Sequence, residues 1–121
     1  MDILLIGLAG SLGAISRYLI YLWEKSLPTH NFPLGTLFIN LIGCFLAGIV
    51  LGLAEKTLPS QRHTLTLISI GFIGSFTTFS TFGMETLHLI QSNQIIQAVF
   101  NILLNITLGI GCIWIAKTII A

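Results

Sequence analysis

Apolar residues run almost unbroken over residues 3–23, 34–54, 65–90 and about 95–120. A helix needs about 20 mainly apolar residues to cross the hydrocarbon layer of a bilayer, and each run supplies that length. Short joints separate them. The first spans residues 24–31 and carries Glu24, Lys25 and Pro28. The second spans 55–63 and carries Glu55, Lys56, Pro59, Arg62 and His63. The third is Gln91-Ser92-Asn93-Gln94. Strands of a membrane barrel would alternate apolar and polar residues over about ten positions. These runs do not alternate, which leaves a helical bundle as the way to satisfy the backbone in lipid. The pattern predicts an all-α membrane protein: one domain, 1–121, of four transmembrane helices. Met1-Asp2 lacks the basic start of a cleaved signal, so the first run is expected to be retained.

Composition sharpens this picture. Of the 121 residues, 55% are hydrophobic and 7% charged, with a mean hydropathy of +0.98. Soluble domains carry about 25% charged residues. A small chain leaves much of its folded surface exposed, and here that surface must meet lipid. A cytosolic enzyme, a nucleic-acid binder and a disulfide-stapled secreted domain are excluded. The net charge of +1 implies no polyanionic partner. Cys44 and Cys112 lie inside apolar runs and read as small hydrophobic residues. Neither has a Cys or His neighbour at metal-ligand spacing.

Charge says little about orientation. With four spans, both termini and the second joint share one side, which holds Lys56, Arg62 and Lys117. The other side holds Lys25, with Arg17 near the end of the first span. The basic residues are nearly balanced across the membrane. Either the chain has too few charges to count, or it inserts in both orientations, which would permit an antiparallel homodimer.

Polar groups at membrane depth are costly and point to function. The third run is richest in them, from Gly71-Phe72-Ile73-Gly74-Ser75-Phe76 through Thr77-Thr78-Phe79-Ser80-Thr81-Phe82 to Glu85. Glycine and β-branched residues weaken a helix, so a break mid-span is expected, freeing carbonyls able to coordinate a monovalent cation. Thr77, Thr81 and Glu85 recur at four-residue steps, with His88 next, and are expected on one helical stripe. Phe79 and Phe82 share a neighbouring face. In the second run Asn40, Gly43 and Ala47 fall on one face, as do Gly48 and Gly52. The fourth run carries Asn101 and Asn105, four apart. The first has a small-residue face, Gly10-Ser11-Leu12-Gly13-Ala14, followed by Arg17. Arg17 either snorkels to the interface or raises the anion concentration at a pore mouth.

No nucleophile–base pair, metal-ligand cluster or phosphate loop is present, so the chain reads as a non-enzyme. Hydroxyls and amides donate hydrogen bonds to anions, and phenyl edges carry the positive part of the ring quadrupole. Such a lining suits permeation of a small anion, because permeation needs binding weak enough for exit. Glu85 fits poorly unless it is protonated, paired or outside the ion path.

Three segments carry a resemblance that covers nearly the whole chain: residues 10–18 (GSLGAISRY), 33–43 (PLGTLFINLIG), and 71–82 (GFIGSFTTFSTF) with Glu85. They resemble the Fluc (CrcB) family of fluoride ion channels. The resemblance implies a passive fluoride-selective channel for fluoride export, built as a dual-topology antiparallel homodimer with two pores. It implies a structural sodium ion at the dimer centre, held by the carbonyls of Gly74 and Thr77. It places pore phenylalanines at Phe79 and Phe82, a pore asparagine at Asn40, a polar track on Thr36, Ser80, Thr81 and Glu85, and a vestibule arginine at Arg17. Asn101 stands where the family's track has a tyrosine and is expected to line the same path. The location implied is multi-pass, in the cell inner membrane or plasma membrane. A dual-topology, proton-coupled multidrug or cation transporter using Glu85 and a non-conducting anchor subunit are the rival readings.

Overall fold

The structure, a computed structural model, describes residues 1–28 and 30–121; Thr29, within the first expected joint, lies outside the described residues. The described residues form α1 (Asp2–Ser26), α2 (Leu34–Lys56), α3 (Pro59–Ile68), a π-helical segment (Ser69–Ile73), α4 (Gly74–Phe76), α5 (Phe79–Gln91) and α6 (Ile95–Ile120). α1, α2, the region Pro59–Gln91, and α6 are each long and apolar enough to cross a membrane. At about 1.5 Å per residue, even the 23 residues of α2 exceed the ~30 Å hydrocarbon core. Leu8 and Leu12 of α1, Leu51 of α2, Leu87 of α5 and Trp114 of α6 point outward. Around a bundle in lipid, outward apolar faces are what the solvent demands.

Helix ends follow local chemistry. Pro59 occupies the first turn of α3, where its missing N–H costs nothing and its fixed φ favours entry. Helix therefore begins inside the joint expected from the sequence, ahead of residue 65. Pro33 precedes α2 without a capping side chain, and Glu24 of α1 fills that role: its Oε1 accepts the Gly35 N–H at 2.8 Å. Between α5 and α6 the chain turns through Asn93 at φ 59°. Gln94 N–H donates to Leu89 O (2.8 Å) and Asn93 N–H to Ile90 O (3.1 Å), the paired bonds that close a helix on a left-handed residue.

Two seams of small residues bring the helices together. On the first, α1 meets the π-helical segment and α4. A Cβ on Gly13 would strike the Ser75 hydroxyl and the Phe72 carbonyl, and one on Gly71 would lie 2.6 Å from Ile6 O and 2.8 Å from the Ala9 Cβ. Ser75 Oγ donates across this seam to Gly10 O at 2.8 Å. On the second, α2 meets α6, with Gly48 against the Ile113 carbonyl and Ala116. In lipid such contacts rest on van der Waals packing, which needs backbones close. The small faces of the second span thus serve different neighbours: Gly48 faces α6, whereas Gly43 faces the Thr77 side chain.

Charged groups gather at the two ends of the bundle. Lys117 Nζ lies 2.7 Å from Glu55 Oε1, and His63 Nε2 lies 3.1 Å from Asp2 Oδ2. These four residues come from the termini and the second joint, so they mark one end. Glu24, Lys25, His30 and His88 mark the other.

Candidate functional site

Between α4 and α5, Thr77 (φ −74°, ψ 157°) and Thr78 (φ −148°, ψ 117°) are extended. Thr78 makes the restart of helix favourable. Its Oγ1 accepts the Thr81 N–H at 3.2 Å and donates to Thr81 Oγ1 at 3.0 Å. Threonine is a preferred helix N-cap for this reason. The expected single stripe is divided here. Thr81, Glu85 and His88 share a face of α5. Thr77 precedes the helix, and its hydroxyl turns back to Ile73 O at 2.8 Å.

Asn40 of α2 binds the extended segment with both ends of its amide. Its Oδ1 accepts the Thr78 N–H at 2.9 Å, and its Nδ2 donates to Thr78 O at 3.2 Å and to Asn105 Oδ1 at 2.9 Å. The orientation is dictated, because a backbone N–H can only donate. Asn105 Nδ2 then donates to Asn101 O (2.9 Å) and Asn101 Oδ1 (3.0 Å). Asn101 Nδ2 donates to Thr86 Oγ1 at 2.9 Å, and Thr86 Oγ1 to Phe82 O at 2.7 Å. One directed chain of hydrogen bonds therefore joins α2, α6 and α5. Every amide hydrogen of Asn40 and Asn105 is engaged in it.

Two cavities lie along α5. The smaller, about 340 Å³, is lined by Asn40, Gly43, Thr78, Phe79, Phe82 and Asn105. The Phe79 and Phe82 rings are 5.6 Å apart at 46°, and they differ sharply in cover: Phe82 is 9% exposed, Phe79 84%. The larger, about 570 Å³, is lined by Thr81, Glu85 and His88 together with Glu24 and the residues leading into α2. Beside it Thr36, fully buried, donates from Oγ1 to Glu85 Oε1 at 2.8 Å. Tyr21 Oη lies 3.1 Å from the same hydroxyl, and with the Thr36 proton committed it is the donor. Among the described residues, Glu85 Oε2 is buried without a hydrogen-bond partner.

The candidate residues thus fall into distinct settings. Phe79, Phe82 and Asn40 meet in the smaller cavity. Thr81 and Glu85 line the larger, with Thr36 bonded to Glu85. Ser80 is exposed, its Oγ 3.5 Å from Thr78 Oγ1. Arg17 does not snorkel: its Nη1 points inward, 3.4 Å from Thr77 O. Gly74 is exposed, and a Cβ there would meet nothing within 4 Å. Asn101 lines neither cavity. It is fully buried between α5 and α6, and its amide is spent on Thr86 and Asn105. Sequence reasoning assigned no role to Thr78, Thr86, Tyr21 or Asn105; the four-residue spacing of Asn101 and Asn105 was the one available signal for the last.

The sequence model of the family described as "CrcB-like protein, Camphor Resistance (CrcB)" matches residues 4–117. The chain belongs to the CrcB family. Among CrcB relatives, a protein of Shewanella sediminis named "Fluoride-specific ion channel FluC" is 41% identical over 98% of this chain and 95% of its own length. One of Geobacter metallireducens with the same name is 35% identical over 95% of this chain and 93% of its own. "Fluoride-specific ion channel FluC 1" of Methanosarcina acetivorans is 38% identical over 95% of this chain and 87% of its own. The match gives no support to a small proton-coupled multidrug transporter. With four membrane-capable helices, a CrcB chain of this kind is a multi-pass membrane protein.

Proposed function

We propose that this chain is a passive, fluoride-selective channel that works as an antiparallel, dual-topology homodimer in the cell's inner or plasma membrane. The relatives' names supply the ion. The observation that carries the reading is the smaller cavity, where the Phe79–Phe82 pair and the Asn40 amide meet beside the extended Thr77–Thr78 segment. Phenyl edges and neutral donors replace water around a small anion without fixing a full positive charge, so exit stays fast. Thr81, on the wall of the larger cavity, and Ser80, on the exposed face, add hydroxyl donors. Glu85 accepts from Thr36 and is held to the wall of the larger cavity by that bond.

The homodimer draws support from exposure. Phe79, Ser80 and Gly74 all face outward at the level of the helical interruption, where a lone subunit would put a hydroxyl and an uncovered backbone into lipid. A second copy covers them and completes each ion path.

A structural sodium ion fits the residues around the interruption. The Thr78 N–H goes to Asn40 rather than to Gly74, so the Gly74 carbonyl lacks the donor that a continued helix would give it. The Thr77 carbonyl accepts only a long bond from the Arg17 guanidinium, at 3.4 Å, which leaves its second lone pair for the ion. Gly74 and Thr77 from two copies would hold the ion, whose charge offsets repulsion among carbonyls brought together.

The test is fluoride efflux from proteoliposomes of the purified protein, read with a fluoride electrode against a chloride control. Wild type should release fluoride and retain chloride, and Phe79→Ile or Phe82→Ile should cut release sharply. Chloride passing as readily as fluoride, or neither passing, overturns the proposal. Labelling of a single introduced joint cysteine should report both sides of the membrane; labelling from one side alone overturns the antiparallel arrangement.

A further inference from the structure

Asn105 lines the same cavity as Asn40, and its hydrogen bonds give it a job there. The two hydrogens of Asn40 are held unequally. One goes to Asn105 Oδ1 at 2.9 Å, the other to Thr78 O at 3.2 Å. N–H···O bonds cluster near 2.9–3.0 Å, so the Thr78 bond is the weaker. Asn105 cannot swing away to release its share, because its own Nδ2 is tied to Asn101 at two points. Asn40 cannot turn over, because its Oδ1 holds the Thr78 N–H.

We infer that Asn105 is a positioning residue for Asn40: it retains one amide hydrogen so that the other, exchanged from the Thr78 carbonyl, is the one offered to fluoride in the Phe79–Phe82 cavity. The inference rests on the fluoride-channel reading. Its physical content is preorganisation. An amide locked at its oxygen and at one hydrogen presents the second hydrogen without rotating, so the passing ion spends none of its binding free energy on ordering the group. Asn105 itself has no hydrogen left to give and does not contact the ion.

Three variants and one spectrum test this. Asn105→Leu removes the acceptor at similar volume. Asn105→Ser keeps an acceptor hydroxyl whose own proton can go to the Asn101 carbonyl four residues back. Thr86→Val cuts the far end of the chain without touching Asn40. Efflux should fall about tenfold in Asn105→Leu, the scale of one lost hydrogen bond, and recover largely in Asn105→Ser, while Thr86→Val stays within about twofold of wild type. If the chain merely braces α5 against α6, Thr86→Val and Asn105→Leu will lose efflux together, and the inference fails. In ¹⁵N-asparagine-labelled wild type, fluoride should shift the Asn40 amide proton facing Thr78 and leave its partner in place; movement of both or neither also overturns it. That spectrum needs no variant, so it decides the matter even if Asn105→Leu does not fold. Should wild type pass no fluoride at all, the channel reading falls separately. The fluoride-free spectra then still decide what Asn105 does: its bonded Asn40 proton must move upfield in Asn105→Leu and hold in Asn105→Ser.

Discussion

The helix before Thr77–Thr78 and the helix after it are held in place by opposite means. The π-helical segment and α4 lie against α1 chiefly because side chains are missing: Gly13 and Gly71 let backbone approach backbone, close enough for the one Ser75–Gly10 bond that crosses the seam. α5 is held by side chains that are present, through Thr86, Asn101 and the cap at Thr78. The first contact is intolerant of added volume, the second of lost donors and acceptors. Lipid explains why both devices are needed. It supplies no hydrophobic drive between helices, so close packing and hydrogen bonds carry the association.

The comparison breaks most visibly on the glycine side. Gly13→Val should lower stability by about 3 kcal/mol or prevent folding, since even its Cβ meets the Phe72 carbonyl, a backbone atom that cannot rotate away. Loss of the monodisperse peak on size exclusion in detergent would show it. Thr78→Val comes next. Losing the cap should cost about 1 kcal/mol and speed amide hydrogen exchange at residues 80–82, while exchange in α1 stays as it was. Asn101→Leu should cost about 1 kcal/mol, read as a lowered thermal midpoint, because membrane hydrogen bonds are individually modest. Combining Gly13→Ala with Asn101→Leu sharpens the contrast: the glycine contact at α1 and the amide contact between α6 and α5 share no residue, so their effects should add within about 0.5 kcal/mol. Smallest of all, His63→Ala should change stability by under about 1 kcal/mol, since its pair with Asp2 is solvent-facing.

The four spans were readable from sequence because lipid demands long apolar runs, and that demand is written residue by residue. The start of the third helical region was not, because Pro59-Ser60-Gln61-Arg62-His63 reads as a polar joint; proline's fitness for a first helical turn decides otherwise. Phe79, Phe82 and Asn40 could be singled out as unusual residues at depth, and they do share a cavity. The tie from Asn105 to Asn40 could not. Periodicity tells which residues share one helix face, but not which face of which neighbour they meet. Asn101 shows the cost of that gap: its place in the sequence suggested the ion path, and periodicity said nothing of the Thr86 hydroxyl on α5 to which its buried amide donates. The divided stripe of Thr77, Thr81 and Glu85 has the same origin, because four-residue steps count as one face only while the helix is continuous.

The directed chain from Thr78 to Phe82 passes through three side-chain amides. Its middle links are carboxamides, which neither gain nor lose protons near neutral pH. Carboxylates or ordered waters in the same positions would make a proton wire between helices inside the bilayer. The amides connect the same helices without passing protons from link to link.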